Sequence, residues 1–196
     1  MRSIRKIHTL TWLPLCLAAL LAGCATGPKL TQDEILGQYE QIAKLDKGLR
    51  DAAAQDVDNL APEGYRAANA QFQDAVAEAE AGRADTANAA AGDGLQQLAK
   101  ANENAAVSRD LMRDVLHARD KAYRAGCATP FPDTTADLDV DLRKLTSYVE
   151  RGKLDDAKDG RQKLIAGYEQ VELAALQEGT VQAAQAAIDS AKKNDA

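Results

Sequence analysis

The chain has 196 residues, 30 acidic against 24 basic side chains, a formal net charge of −6 and only 4% aromatic residues. That balance argues against a basic nucleic-acid-binding stripe and against attraction to anionic lipid headgroups. Alanine, with Leu, Gln, Glu, Asp, Lys and Arg, fills most positions and β-branched residues are scarce, so composition predicts an all-α protein with a thin core.

The first residues read as a targeting segment. Arg2, Arg5 and Lys6 form a basic head, and an apolar run from Leu10 to Ala22 follows, interrupted by Thr11 and Pro14. A run this short falls below the roughly 20 apolar residues that cross a bilayer as a helix, and its flanks fit a secretory signal. The run ends in Leu21-Ala22-Gly23-Cys24, followed by the polar, flexible Ala25-Thr26-Gly27-Pro28. This order resembles the lipobox of bacterial lipoprotein precursors. The resemblance implies cleavage between Gly23 and Cys24 and lipid attachment to the Cys24 thiol. Two or more acyl chains, at about 0.8 kcal/mol per buried CH₂, hold a chain stably on a membrane. Ala25 rather than Asp after the cysteine implies, by resemblance to lipoprotein sorting in Gram-negative bacteria, the periplasmic face of the outer membrane. Cleavage would leave 173 residues and take three positive charges away, so that −6 becomes −9.

Residues 1–23 are therefore expected to be signal peptide and 24–30 a lipidated tether. A leading helix is predicted over 31–61. Thr31 stands as its N-cap with Glu34 at the capping-box position, and Ile35, Tyr39, Ile42, Leu45 and Leu49 form its apolar stripe. Pro62 suits the first turn of the next helix, whose stripe is Tyr65, Ala68, Phe72, Ala75, Val76 and Ala79, and Gly82 suits its end. A long helix from about 84 to 125 follows, with Ala87, Ala91, Leu95, Leu98, Ala101, Ala105, Leu111, Met112, Val115 and Tyr123 on one side. Gly92 and Gly94 are where it is expected to kink. Gly126, Pro130 and Pro132 mark the clearest break. Leu138, Leu142, Leu145 and Val149 then lead to Gly152, and Leu154, Ala157, Leu164, Ile165, Tyr168, Val171 and Ala175 stripe the last helix.

The two halves read as copies. Glu80-x-Gly82-Arg83-x-Asp85-x-Ala87 matches Glu150-x-Gly152-Lys153-x-Asp155-x-Ala157, and Pro62 aligns with Pro132, Phe72 with Leu142, Leu95 with Ile165 and Leu98 with Tyr168. Two hairpin units are thus expected, over 62–127 and 132–196. In each, Gly reverses the chain, Asp favours the next helix start, and Ala lets the two helices approach. This turn resembles the hairpins of tetratricopeptide-like repeats, which implies elongated antiparallel helical hairpins in that general layout. Residues 31–196 are also similar to the alanine-rich helical regions of uncharacterised outer-membrane lipoproteins, some of which precede an OmpA-like peptidoglycan-binding domain. That resemblance leaves open whether the natural chain runs on past Ala196.

Catalytic chemistry is not apparent. After Cys24 the chain has one histidine, His117, with Arg113, Asp114, Arg119 and Lys121 nearby in sequence, and no nucleophile–base pattern. Metal-ligand spacings and phosphate loops are absent, and the acidic run Asp133 to Asp141 reads as a solvated helix start. No catalytic, cofactor or metal site is predicted. Cys127, alone once Cys16 leaves and Cys24 is lipidated, sits in what looks like an exposed turn. It reads either as a small apolar loop residue or as an intermolecular disulfide partner in an oxidising periplasm. Exposed residues from Tyr123 to Phe131 are the candidate contact region. Taken together, the sequence predicts a membrane-anchored structural or interaction lipoprotein rather than an enzyme, its partner an envelope protein or peptidoglycan, with self-association open. The alternatives are a periplasmic module that holds a peptide or lipid between hairpins, and the front segment of a peptidoglycan-associated OmpA-like lipoprotein.

Overall fold

A computed structural model describes residues 30–194. The signal peptide, cleavage site and lipidation site expected at Gly23 and Cys24 lie outside these residues. The described residues are mostly helical and hold no strand. The elements are α1 (Gln32–Gln38), α2 (Glu40–Ala53), α3 (Val57–Leu60), α4 (Pro62–Glu80), α5 (Ala84–Leu111), α6 (Arg113–Arg124), α7 (Pro132–Glu150), α8 (Leu154–Asp159) and α9 (Arg161–Asn194).

Local chemistry accounts for the main boundaries. The Thr31 hydroxyl accepts from the Glu34 N–H, and the Glu34 carboxylate accepts from the Thr31 N–H, so the capping box is complete. Pro62 and Pro132 open α4 and α7 at positions that need no N–H donor. Gly82 and Gly152 take φ of 73° and 72° after α4 and α7, where a Cβ would be strained, and reverse the chain into α5 and α8.

Two predicted helices are broken. The leading helix splits at Tyr39, which is extended, and again at Asp56, held left-handed at φ 63°. The long helix runs unbroken through Gly92 and Gly94. A Cβ on Gly94 would lie 2.4 Å from Leu45 Cδ2, so its bare backbone is what lets α2 pack close to α5. The break falls at Met112, whose backbone leaves helical geometry and whose side chain is fully buried.

That break moves the unit boundary. Ile35 through Ala105 form one apolar core, built on α1, α2, α3, α4 and α5. Met112, Val115, Ala118, Ala122 and Cys127 instead join Leu142, Leu145, Val149, Leu164, Tyr168 and Val171 in a second core. The helix α6, expected to close the first hairpin unit, therefore opens the second. Each unit is three helices, α2–α4–α5 and α6–α7–α9, rather than the helix pairs expected from the tetratricopeptide-like turn. The correspondence at an offset of 70 accordingly reaches further back than the sequence suggested. Ile42 matches Met112, Leu45 matches Val115, Ala52 matches Ala122, and Val57 matches Cys127, and all eight are buried. Asp56 and Gly126, also equivalent, share the left-handed conformation. Within a unit the first and third helices run parallel and the second antiparallel to both. The third helix of the first unit leads, through Met112 alone, into the first helix of the second.

Candidate functional site

The most elaborate chemistry lies where the two units meet. One side of α7 carries Thr135, Asp139, Arg143, Thr146 and Glu150, next to its apolar stripe of Leu138, Leu142, Leu145 and Val149. Their spacing puts them on a single helical strip. Three of the five cross to the first unit.

Near the middle of α7, Asp139 accepts four groups. Arg119 Nε donates at 2.8 Å and the Tyr168 hydroxyl at 2.7 Å to Oδ1, and the Tyr123 hydroxyl donates at 2.5 Å to Oδ2. Arg119 Nη2 adds a longer bond of 3.4 Å to Oδ2. Arg119 also reaches back to Asp56 of the first unit at 3.2 Å, and its guanidinium stacks 4.9 Å from the Tyr123 ring centroid. The side chains of Arg119 and Asp139 keep 21% and 14% exposure, so this ion pair is only slightly screened by water.

The electrostatics follow from that geometry. Burial by itself would raise the Asp139 carboxyl, but the bonds from Arg119, Tyr123 and Tyr168 outweigh it and hold the carboxyl below its ordinary value. Burial and the neighbouring Asp139 carboxylate push the Tyr123 phenol up to about 12 and raise Tyr168 as well. Both tyrosines stay neutral donors and Asp139 stays an anion across the physiological range. With both of its oxygens occupied by donors, Asp139 is a poor general base.

Further along α7, Arg143 donates to the Asn59 side chain at 2.9 Å, and the Thr146 hydroxyl donates to the Asn59 carbonyl at 2.7 Å. At its end, Glu150 accepts from the N–H groups of Glu63 and Gly64 at 2.9 and 2.8 Å. These are free donors in the first turn of α4, where Pro62 has no N–H and the helix dipole favours an anion. Gly64 makes the approach feasible, because a Cβ there would sit 2.9 Å from Ala101 Cβ and 3.2 Å from Glu150 Oε1. Arg151 pairs with Glu63 beside it. The second unit thus supplies the N-terminal cap that α4 lacks in its own.

The network belongs to the joint and not to the repeat. Positions equivalent to Arg119, Tyr123, Asp139 and Tyr168 in the first unit are Leu49, Ala53, Asn69 and Leu98. Leu49 and Leu98 are buried in the first core.

The residues singled out from the sequence fare differently. His117 is exposed on α6 and lines a surface groove with Arg113, Lys121 and Glu169. In the candidate contact region, Tyr123 is engaged by Asp139 and Phe131 is half-buried, while Thr129 and Pro130 are exposed. Cys127 lies in a turn whose Gly126, Ala128, Thr129 and Pro130 are exposed, but its own side chain is fully buried. Its Phe131 and Ala122 neighbours fold the turn back through backbone bonds, and the side chain enters the second core where Val57 enters the first. An intermolecular disulfide would require that core to open. Accordingly, with Cys16 and Cys24 replaced, Cys127 is expected to resist a maleimide in buffer and to react fully in denaturant. Fast labelling of the folded chain would contradict this burial.

Asp139 was hidden in the acidic run from Asp133 to Asp141. Asp137 and Asp141 are indeed exposed, but Asp139 sits three residues before Leu142, at the margin of the apolar stripe. That position is the signal that separates it from its neighbours. Among the described residues no three His, Cys, Asp or Glu side chains group as a metal site, and no helix is long and apolar enough to cross a membrane. No protein-family model, curated protein or solved structure matches the chain.

Proposed function

We propose that this protein is a lipid-anchored interaction module of the bacterial cell envelope, held at the periplasmic face of the outer membrane through Cys24. The observation that carries the reading is the lipobox Leu21-Ala22-Gly23-Cys24 behind a basic head and a short apolar run. The fold is in keeping with it. Five residues separate Cys24 from Leu30, two residues ahead of α1, and a fully extended chain from Cys24 to Leu30 spans only about 20 Å. Lipid on Cys24 would thus hold the first unit close to the bilayer. The second unit follows through a joint of directed, charged bonds rather than a flexible linker. Such a body suits presentation of a surface to an envelope protein or to peptidoglycan.

The reading is tested by photocrosslinking in intact cells from probes on exposed positions such as Thr129, Val140 and Leu154. An envelope component captured by the anchored chain, and lost when Cys24→Ala releases it, is the expected result. Equal capture by the released chain, or none from any position, would count against an anchored interaction module.

A further inference from the structure

The second unit carries an open groove of about 610 Å³ between the turn that follows α6 and one side of α9. Ala175, Glu178 and Gly179 line it from α9, and Thr129, Pro130 and Phe131 from the turn. At the offset of 70, the first three match Ala105, Ser108 and Arg109, and the others match Asn59, Leu60 and Ala61. Those residues belong to the part of the first unit on which α7 lies, since α7 packs against both α3 and α5. The difference in cover shows in the burial. Asn59, Leu60 and Ser108 are buried at the joint, whereas the equivalent Thr129, Pro130 and Glu178 are exposed. The groove therefore repeats the seat of α7 one unit further on.

We propose that this groove is a docking site for a helix of another protein, lying there as α7 lies on the first unit and bringing a basic side chain to Glu178. Two exchanges between the units select that chemistry. Glu178 stands where Ser108 is covered by the joint, and a carboxylate covered in that way needs a cation beside it. Gly179 stands where Arg109 donates to the Gln55 carbonyl, so the guanidinium that the first unit holds at this place is not supplied from α9. The basic group has to come with the helix. The Thr129 carbonyl corresponds to that of Asn59, which accepts from Thr146, and it suits a hydroxyl one turn beyond the basic residue, as Thr146 follows Arg143. Thr134 replaces Gly64, so the carboxylate cap made by Glu150 is not part of this seat. A second copy of the chain is a poor source of the helix. Its α7 is committed to its own joint, and its α4 carries Gln73 and Val76 where α7 carries Arg143 and Thr146. The inference names the contact surface for the interaction role proposed above and rests on that role, but not on the lipid anchor.

A fluorescein-labelled peptide of residues 132–150, which holds the α7 sequence with Arg143 and Thr146, serves as the probe, titrated with the full chain and followed by fluorescence anisotropy. Saturable binding is expected. Thr129→Trp puts a bulky side chain at an exposed turn position in the middle of the seat, away from both cores, and should abolish binding. Arg143→Glu in the peptide should weaken it about tenfold, the worth of one charged hydrogen bond, and Glu178→Arg in the chain should restore it. No saturable binding would overturn the proposal. So would binding that Thr129→Trp leaves unchanged, which would place the peptide at the joint in exchange for α7, or a loss with Arg143→Glu that Glu178→Arg does not restore. The titration contains no membrane and no other protein, so these failures are distinct from a failure of the anchored chain to capture a partner in cells.

Discussion

Replacing Asp139 by alanine is expected to destabilise the fold by about 3 kcal/mol, the order found when one member of a buried ion pair is removed. The variant would leave Arg119 with Asp56 alone, 35% exposed, and would leave the hydroxyls of Tyr123 and Tyr168 without their acceptor. Urea titration of wild type and Asp139→Ala measures the loss as a lower midpoint. Acid adds a signature. Because the folded-state carboxyl is held below its ordinary value, its contribution is present above the unfolded value near 3.9 and is lost as pH falls through the folded value. Wild type and Asp139→Asn should therefore converge in stability on acidification below about pH 4. The tyrosines act at the other end of the scale. Their raised values give stability that is complete below about 10, the unfolded phenol value, and fades above it as Tyr123 titrates. A Tyr168→Phe variant keeps the ring in the core and should show a smaller part of that alkaline loss.

Removing the cap that crosses the joint should uncouple the units. Glu150→Ala leaves the N–H groups of Glu63 and Gly64 without a partner at the start of α4, and Thr146→Val does the same to the Asn59 carbonyl. The loss of a helix N-cap costs about 1 kcal/mol, and an unsatisfied half-buried group about as much again. Neither residue belongs to the first core, so that unit keeps its own packing. The double variant should thus lose about 2 kcal/mol of coupling while each unit remains helical. Thermal melting followed by circular dichroism is expected to change from one transition to two, or to one broadened transition. A single sharp transition at the wild-type midpoint would mean that the units are joined by packing alone.

The all-α class, the helix starts at Pro62 and Pro132 and the Gly82 and Gly152 turns were legible because single residue types there have backbone consequences. The boundary at Met112 was not. Ala105, Leu111, Met112 and Val115 continue an apolar periodicity without Gly or Pro, and nothing local reveals that Met112 changes cores. Only the packing of α6 against α9 decides it. Gly94 misled for the opposite reason. A glycine within a helix reads as weakness, yet here it marks a close approach, and that meaning lies in Leu45, 49 residues earlier. The joint was partly legible. Thr135, Asp139, Thr146 and Glu150 recur at helical spacing beside the leucines of α7, a second stripe that apolar periodicity overlooks. The partners of Thr146 and Glu150, at Asn59, Glu63 and Gly64, are more than eighty residues away, beyond the reach of local pattern.

The anchor at Cys24 is the central functional claim, and intact mass combined with membrane fractionation of wild type and Cys24→Ala in a Gram-negative host tests it directly. The reading predicts a wild-type chain that begins at Cys24, is heavier by its acyl chains and sediments with membranes, and a Cys24→Ala chain that is unacylated and remains in the supernatant. A wild-type product without acyl mass and free of the membrane fraction would contradict it.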